Sequence, residues 1–124
     1  MILDATVVVA TFGANHWRHL ARTRAVPSAH QLGVTVVHAH AATLAQARNA
    51  GLAEVHTTWT IHLDADDELE AGYLDAMAEG TADVRAPAVR YIRGGHATWP
   101  AVPKVAGHTH DCVADCLPSG NWLV

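Results

Sequence analysis

The chain has 124 residues, enough for one domain with a buried core, and 50% of them are hydrophobic. Its formal net charge is −4 and Lys104 is its only lysine, which argues against binding to a nucleic-acid backbone. No apolar stretch is long enough to span a bilayer, and the N-terminus lacks the basic region of a signal peptide. Two cysteines are too few for a disulfide scaffold, so we expect a cytoplasmic protein. Taken with the charge and the lack of a long apolar stretch, the composition predicts neither a membrane span nor a nucleic-acid partner.

The first part of the chain predicts two strands, each followed by a helix. A continuous apolar run over 5–12 is typical of a fully buried strand, and Asn15 is the expected N-cap of the helix that follows. We expect Pro27 to end that helix or to start an extended link. A second strand is predicted over 34–38, and Thr43 begins the capping-box pattern of the next helix.

The same alternation continues towards residue 92. Gly51 is unfavourable within the second helix unless it allows close packing. A third strand is predicted over 58–63, followed by a helix over 68–79 that ends at Gly80. Strand-like residues recur over 82–92, bent or at a sheet edge because of a proline. Strands that alternate with helices predict an α/β fold with a mainly parallel sheet.

The composition changes after this alternating region. We assign residues 1–92 to an α/β core, whereas residues 93–124 are rich in Gly, Pro and His with few periodic apolar positions. The second segment is expected to be an irregular loop followed by the beginning of a further strand at 122–124. Because that strand would have no continuation, we expect a truncated domain.

An acidic cluster at the end of the third strand is the strongest functional signal. Asp64, Asp66 and Asp67 follow the apolar run directly, which would place hard oxygen ligands at the carboxyl edge of the sheet. Carboxylates crowded in this way are typical of Mg²⁺ or Mn²⁺ sites that also bind phosphate oxygens. The alternative is a solvated turn whose acidic residues cap the following helix.

Two motifs carry a resemblance to a known family. Ala47-Arg48-Asn49-Ala50-Gly51 lies on the second helix, and Leu63-Asp64-Ala65-Asp66-Asp67-Glu68-Leu69 follows at the end of the third strand. Together with the N-terminal strand, they resemble the family-two glycosyltransferases of GT-A fold, over about residues 5–92. The resemblance implies the Rossmann-like, nucleotide-sugar-binding half of such a domain, truncated before its second half.

The resemblance also implies roles for the acidic residues and the helix motif. Asp66 would be the closest ligand of Mn²⁺ or Mg²⁺, and Asp64 would reach the ribose or a metal-bound water. Asp67 would either contact the metal or cap the helix, and the cap is favoured. Arg48 would contact the base or the diphosphate, or else pair with Asp64 or Asp66, and Asn49 would bond a backbone turn near the donor.

The base of the nucleotide is expected at the end of the first strand. By resemblance Thr11 and Phe12 would hold it, although Phe12 could equally be a core aromatic residue. The chain departs from the family after the second strand, where His38 and His40 stand in place of an acidic segment with Ser or Thr. These histidines could replace its hydrogen bonds, but the identity of the base stays open.

A second cluster of potential metal ligands lies near the C-terminus. His108, His110, Cys112 and Cys116 could form a zinc site, although their spacing does not match the usual patterns. We favour a loop over the donor site, with a histidine near the phosphates or the metal.

The sequence therefore predicts the donor-binding half of an inverting, metal-dependent glycosyltransferase. Its acceptor site and general base would belong to the missing half, so we assign no catalytic residue, and the chain would act with that half or as a homo-oligomer. The alternatives are a non-catalytic nucleotide- or zinc-binding module, and a plain α/β domain whose acidic turn is only a helix cap.

Overall fold

Three parallel strands form the centre of the structure. The computed structural model describes residues 3–85 and two short strands further along, and all statements below concern those residues. The strands of the central sheet are β1 (Ala5–Phe12), β2 (Thr35–Ala41) and β3 (Trp59–Leu63), in the order β2-β1-β3. Both pairings are parallel, which confirms the predicted α/β class with a parallel sheet.

Helices connect these strands. In chain order they are α1 (Asn15–Leu20), a π-helical turn (Ala21–Ala25), α2 (Val26–Gln31), α3 (Leu44–Leu52) and α4 (Tyr73–Ala78). Two short antiparallel strands, β4 (Ile92–Arg93) and β5 (His96–Ala97), form a separate pair. This pair crosses the boundary expected at residue 92, so regular structure extends into the segment expected to be irregular. No helix in the described part of the chain is long and apolar enough to cross a membrane.

The central strand β1 is buried on both faces, as predicted. Val7 and Val9 belong to a core cluster with the fully buried Ala21, Ala25 and Ala29 of the helical segment between β1 and β2. Val8 points to the opposite face, because side chains alternate along a strand. On that face α3 lies very close to the sheet, since a Cβ atom added to Gly51 would be only 2.4 Å from Cγ1 of Val8. Gly51 thus permits close packing of α3 on β1, which explains why a glycine is found within this helix.

The helical segment after β1 differs from the prediction at both ends. Asn15 is the first helical residue and not the cap, since the N-cap is Ala14, and the Asn15 side chain instead accepts a hydrogen bond from Arg18. Pro27 does not end the helix, which continues to Gln31. Pro27 lies in the first turn of α2, directly after the π-helical turn, where a missing N–H group is tolerated.

The helix α4 is shorter than predicted, since its N-cap is Gly72 and not a residue near Glu68. The hydroxyl of Ser28 accepts a hydrogen bond from the Leu69 amide at 3.0 Å, which joins the segment before α4 to α2. Gly72 then takes a left-handed conformation with φ of 87°, so the helix begins only at Tyr73. Tyr73 and Met77 of this helix are buried, as is Leu69 in the segment before it.

Several expectations fall outside the described residues. These are the bend at Pro87, the zinc or loop segment with His108, His110, Cys112 and Cys116, and the strand expected at 122–124. They stay predictions.

Candidate functional site

The carboxyl ends of β1 and β3 lie side by side and open into a cleft. The cleft has a volume of about 260 Å³. Its lining consists of Ala10, Thr11, Phe12, Trp17, Leu44, Arg48, Asp64, Ala65 and Asp66. Both ends meet at one edge because the strands are parallel, with Val9 of β1 opposite Leu63 of β3. The acidic cluster therefore begins one residue beyond that pair, at the edge of the sheet where ligands bind in open α/β folds.

Five residues predicted from the sequence line this cleft together. They are Thr11, Phe12, Arg48, Asp64 and Asp66. Asn49 and Asp67 are not among the lining residues, and Asn49 is exposed on α3. These five residues bring two carboxylates, one guanidinium group, one hydroxyl and one aromatic ring to the cleft.

Arg48 and Asp64 contact each other across the cleft. Nη2 of Arg48 lies 3.4 Å from Oδ1 of Asp64, and the two side chains are 39% and 42% exposed. This contact matches the alternative in which Arg48 pairs with an aspartate of the cluster. An ion pair this long and this exposed contributes roughly 1 kcal/mol or less, so a bound anion could replace Asp64 as the partner of Arg48 at low cost.

Asp66 and Asp67 differ in their surroundings. Asp66 is exposed and makes no hydrogen bond or ion pair within residues 3–85. The backbone N–H of Asp67 donates to the carbonyl of Asp64 at 3.1 Å, which closes a turn. Five residues separate Asp67 from Tyr73, the first residue of α4, and the N-cap is Gly72. The favoured expectation that Asp67 caps the helix is therefore wrong.

The donor set of the cleft suits a cation that keeps most of its own water. Only Asp64 and Asp66 contribute carboxylates, and no group of three metal-binding side chains occurs among the described residues. Mg²⁺ is usually held by one or two protein carboxylates, with water and phosphate oxygens completing its octahedral shell. Two aspartates at an open edge fit that arrangement.

Two aromatic side chains stand at the cleft. Phe12 is 44% exposed and Trp17 is 37% exposed, so Phe12 is not a core aromatic residue. Trp17 was not among the site residues predicted from the sequence. A helix that begins three residues after the end of β1 could have indicated it, because its first turn must lie near the carboxyl edge.

Thr11 is buried and bonds to both histidines of β2. Its Oγ1 atom lies 3.1 Å from Nε2 of His38 and 2.8 Å from Nδ1 of His40. Burial lowers the pKa of His38, and the nearby charges of Arg22 and Arg18 and the His40 ring lower it further. Both histidines are therefore hydrogen-bonded, as donor or acceptor, to Thr11, which lines the cleft.

His62 is the second histidine that the fold partly buries, and it lies on β3 beside the cleft. Its Nδ1 atom is buried without a hydrogen-bond partner in the described structure. Burial lowers its pKa, the charge of Arg48 lowers it further, and Asp64 acts in the opposite direction. His62 therefore lies close to the ion pair of the cleft, in its neutral form at neutral pH.

Comparison of the chain with protein-family models, curated proteins and solved structures found no match.

Proposed function

We propose that this chain is the donor-binding half of a metal-dependent, inverting glycosyltransferase with a GT-A fold. The observation that carries the proposal is the cleft at the carboxyl edge, where Arg48, Asp64 and Asp66 come together beside an exposed aromatic residue. A nucleoside diphosphate combines the chemical groups that such a cleft would bind. Its phosphates suit a guanidinium and a cation, and its base suits an aromatic face.

The rejection of the helix-cap explanation strengthens this proposal. If the acidic residues capped α4, they would need no ligand. They precede the first residue of that helix by five residues or more, and Asp66 lies in the cleft wall instead. Asp66, which lines the cleft and forms no ion pair within residues 3–85, is therefore available to hold a cation.

The size of the cleft limits what it would hold. Small-molecule sites commonly enclose roughly 300–1,000 Å³, and this cleft has about 260 Å³. It therefore suits the diphosphate and the adjoining part of the nucleotide, with the sugar towards the acceptor side. In the resembling family a second half of the domain supplies the acceptor site.

Each residue of the cleft would have a distinct role. Asp64 and Asp66 would hold Mn²⁺ or Mg²⁺, which when bound neutralises charge on the phosphate oxygens of the donor. Arg48 would turn from Asp64 to the diphosphate and stabilise the negative charge that grows as the bond to the anomeric carbon breaks. The acceptor hydroxyl would form the new bond from the opposite side, and a base outside the cleft would take its proton.

Calorimetry with UDP, GDP and dTDP, each with and without Mn²⁺, tests the proposal. We expect Mn²⁺ to tighten binding of at least one of them by roughly tenfold or more, because the metal joins carboxylates to phosphates. Asp66→Asn should remove that gain. Asp83→Asn, which removes the same charge at an exposed position away from the cleft, should keep it.

The arginine gives a second, separate measurement. Arg48→Gln should weaken nucleotide binding even without metal, whereas Asp66→Asn should not. Binding that is equally tight with and without Mn²⁺ in every variant would contradict the proposal.

A further inference from the structure

Basic side chains gather on the other face of the same sheet edge. His38 and His40 project from one face of β2, because they are two residues apart on a strand. They stand opposite Val9 and Thr11 of β1 in the register of the sheet. Both rings converge on one atom, Oγ1 of Thr11, at 3.1 and 2.8 Å. The hydrogen bonds therefore hold the two rings side by side.

Arginines from the covering helix complete the group. Ala21 and Ala25 are fully buried against this face, so the segment that carries Arg18 and Arg22 packs directly over it. The pKa of His38 is lowered first by burial and then by the charges of Arg22, the His40 ring and Arg18. Within residues 3–85 neither of these arginines forms a salt bridge. The two guanidinium groups thus bring positive charge to this face.

The group is also open to solvent. Arg22 and His40 are exposed, and Arg18 and His38 are partly exposed. Arg18 is held by its hydrogen bond to Asn15, whereas Arg22 projects from the π-helical turn. A solute can therefore reach all four side chains.

The hydrogen-bonding capacity of the Thr11 hydroxyl determines which ring nitrogens of the two histidines are donors and which are acceptors. A hydroxyl has one proton, so it cannot donate to both rings, and at least one ring must donate to Oγ1. In a neutral ring the remaining nitrogen is then an acceptor, and on protonation it becomes a donor. An anion beside the rings favours that protonated form, since an opposite charge stabilises it.

We propose that His38, His40 and Arg22, with Arg18 beside them, form a subsite for an anionic group, a phosphate or a carboxylate, next to the cleft. Thr11 joins the two sites, because it lines the cleft and bonds to both histidines. The subsite needs neither a metal nor the aspartates, so it goes beyond the donor-binding proposal. Two strand spacings, about 10 Å, separate the end of β2 from the end of β3. A ligand that occupies both sites would therefore carry a second anionic group about that far from the first.

The test uses inorganic phosphate as the probe, with a chelator present so that no metal takes part. Histidine ring signals are followed by NMR, and the His38→Gln and His40→Gln variants assign them among the ten histidines of the chain. Phosphate should shift the His38 and His40 signals with a saturable dependence. A parallel titration with acetate distinguishes a phosphate site from a carboxylate site by its affinity.

Arginine variants provide the matched comparison. Arg22→Gln should weaken phosphate binding by roughly tenfold, as expected when a charged hydrogen-bond donor is lost. Arg24→Gln removes the same charge from an exposed position of the same π-helical turn and should leave the affinity unchanged. Because both positions are exposed, both variants should keep the melting temperature of the wild type.

Three results would overturn the proposal. They are shifts that do not saturate below about 50 mM phosphate, equal weakening by Arg22→Gln and Arg24→Gln, and shifts at all histidines alike. Asp66→Asn should not change phosphate binding. Failure of the metal-dependent nucleotide test and failure of this one are therefore distinguishable.

Discussion

Replacing Gly51 by alanine should destabilise the protein, although alanine is the better helix former. The new Cβ would lie 2.4 Å from Cγ1 of Val8, whereas ordinary contacts are 3.4–4 Å, so about 1 Å of movement is required. Val8 cannot move away easily, because it is 1% exposed on the central strand and pairs with Val37 and His62 on either side. Overpacking of this kind costs about 1–3 kcal/mol, and the gain in helix propensity is about 1 kcal/mol. At so short a distance we expect a net loss of about 1–2 kcal/mol.

Urea unfolding followed by far-ultraviolet circular dichroism would measure this loss. Ala50→Gly, at the exposed neighbouring position, gives the local value of the helix propensity without a packing change. Val8→Ala removes the atom that Gly51→Ala would meet. In that background Gly51→Ala should be neutral or stabilising by up to about 1 kcal/mol, so the double-mutant cycle should show a coupling of about 2 kcal/mol. A Gly51→Ala variant that is as stabilising in the wild type as in the Val8→Ala background would refute the reasoning.

Two further predictions concern stability. Arg85 donates hydrogen bonds to the carbonyl of Met77 in the last turn of α4 and to that of Gly80 beyond its end. Its guanidinium carbon lies 4.3 Å from the centre of the Trp59 ring. Arg85→Lys cannot reproduce that geometry and should lower the free energy of unfolding by about 1–2 kcal/mol, whereas an unchanged urea midpoint would contradict this role. The pKa of His38 is lowered in the folded state, so the unfolded state binds more protons as the pH falls below the ordinary histidine value. The free energy of unfolding should therefore decrease as the pH is lowered from about 7.5 to about 5.5. This decrease should be smaller in His38→Gln, and thermal melts at several pH values would measure it.

The sequence predicted the central strands and most of the cleft because both depend on simple rules. A valine-rich run made β1 recognisable, and the alternation with helices predicted parallel pairing. Once the strands are parallel, Phe12 and Asp64 must lie at one edge, since Phe12 ends β1 and Asp64 directly follows β3. Arg48 comes near them because α3 begins just beyond the carboxyl end of β2, at the same edge of the sheet. Gly51 is small because α3 packs closely on β1 at that position. These inferences needed no knowledge of individual contacts.

The features that the sequence did not predict depend on contacts between distant residues. The segment before α4 is held by the bond between Ser28 and Leu69, which are 41 positions apart. The convergence of His38 and His40 on Thr11 depends on the exact register of β2 against β1, which extends to Phe12 and Ala41. Local propensity would have ended β2 at residue 38, because alanine and histidine favour a strand only weakly. Backbone pairing with β1 extends it to Ala41 instead.

The π-helical turn has a consequence for how this chain could change in evolution. A π turn amounts to one residue added to an α-helix, and here it comprises the five residues Ala21–Ala25. Deletion of one exposed residue, such as Thr23, would leave an ordinary α-helix and could preserve Ala29 and the core around it. Because the widened turn already absorbs the added residue, the helical parts before and after the deletion would keep the faces that they present to the sheet. Trp17 and Arg18 would therefore stay at the edge of the sheet, so the loss of a single codon could leave both the fold and its binding surfaces in place.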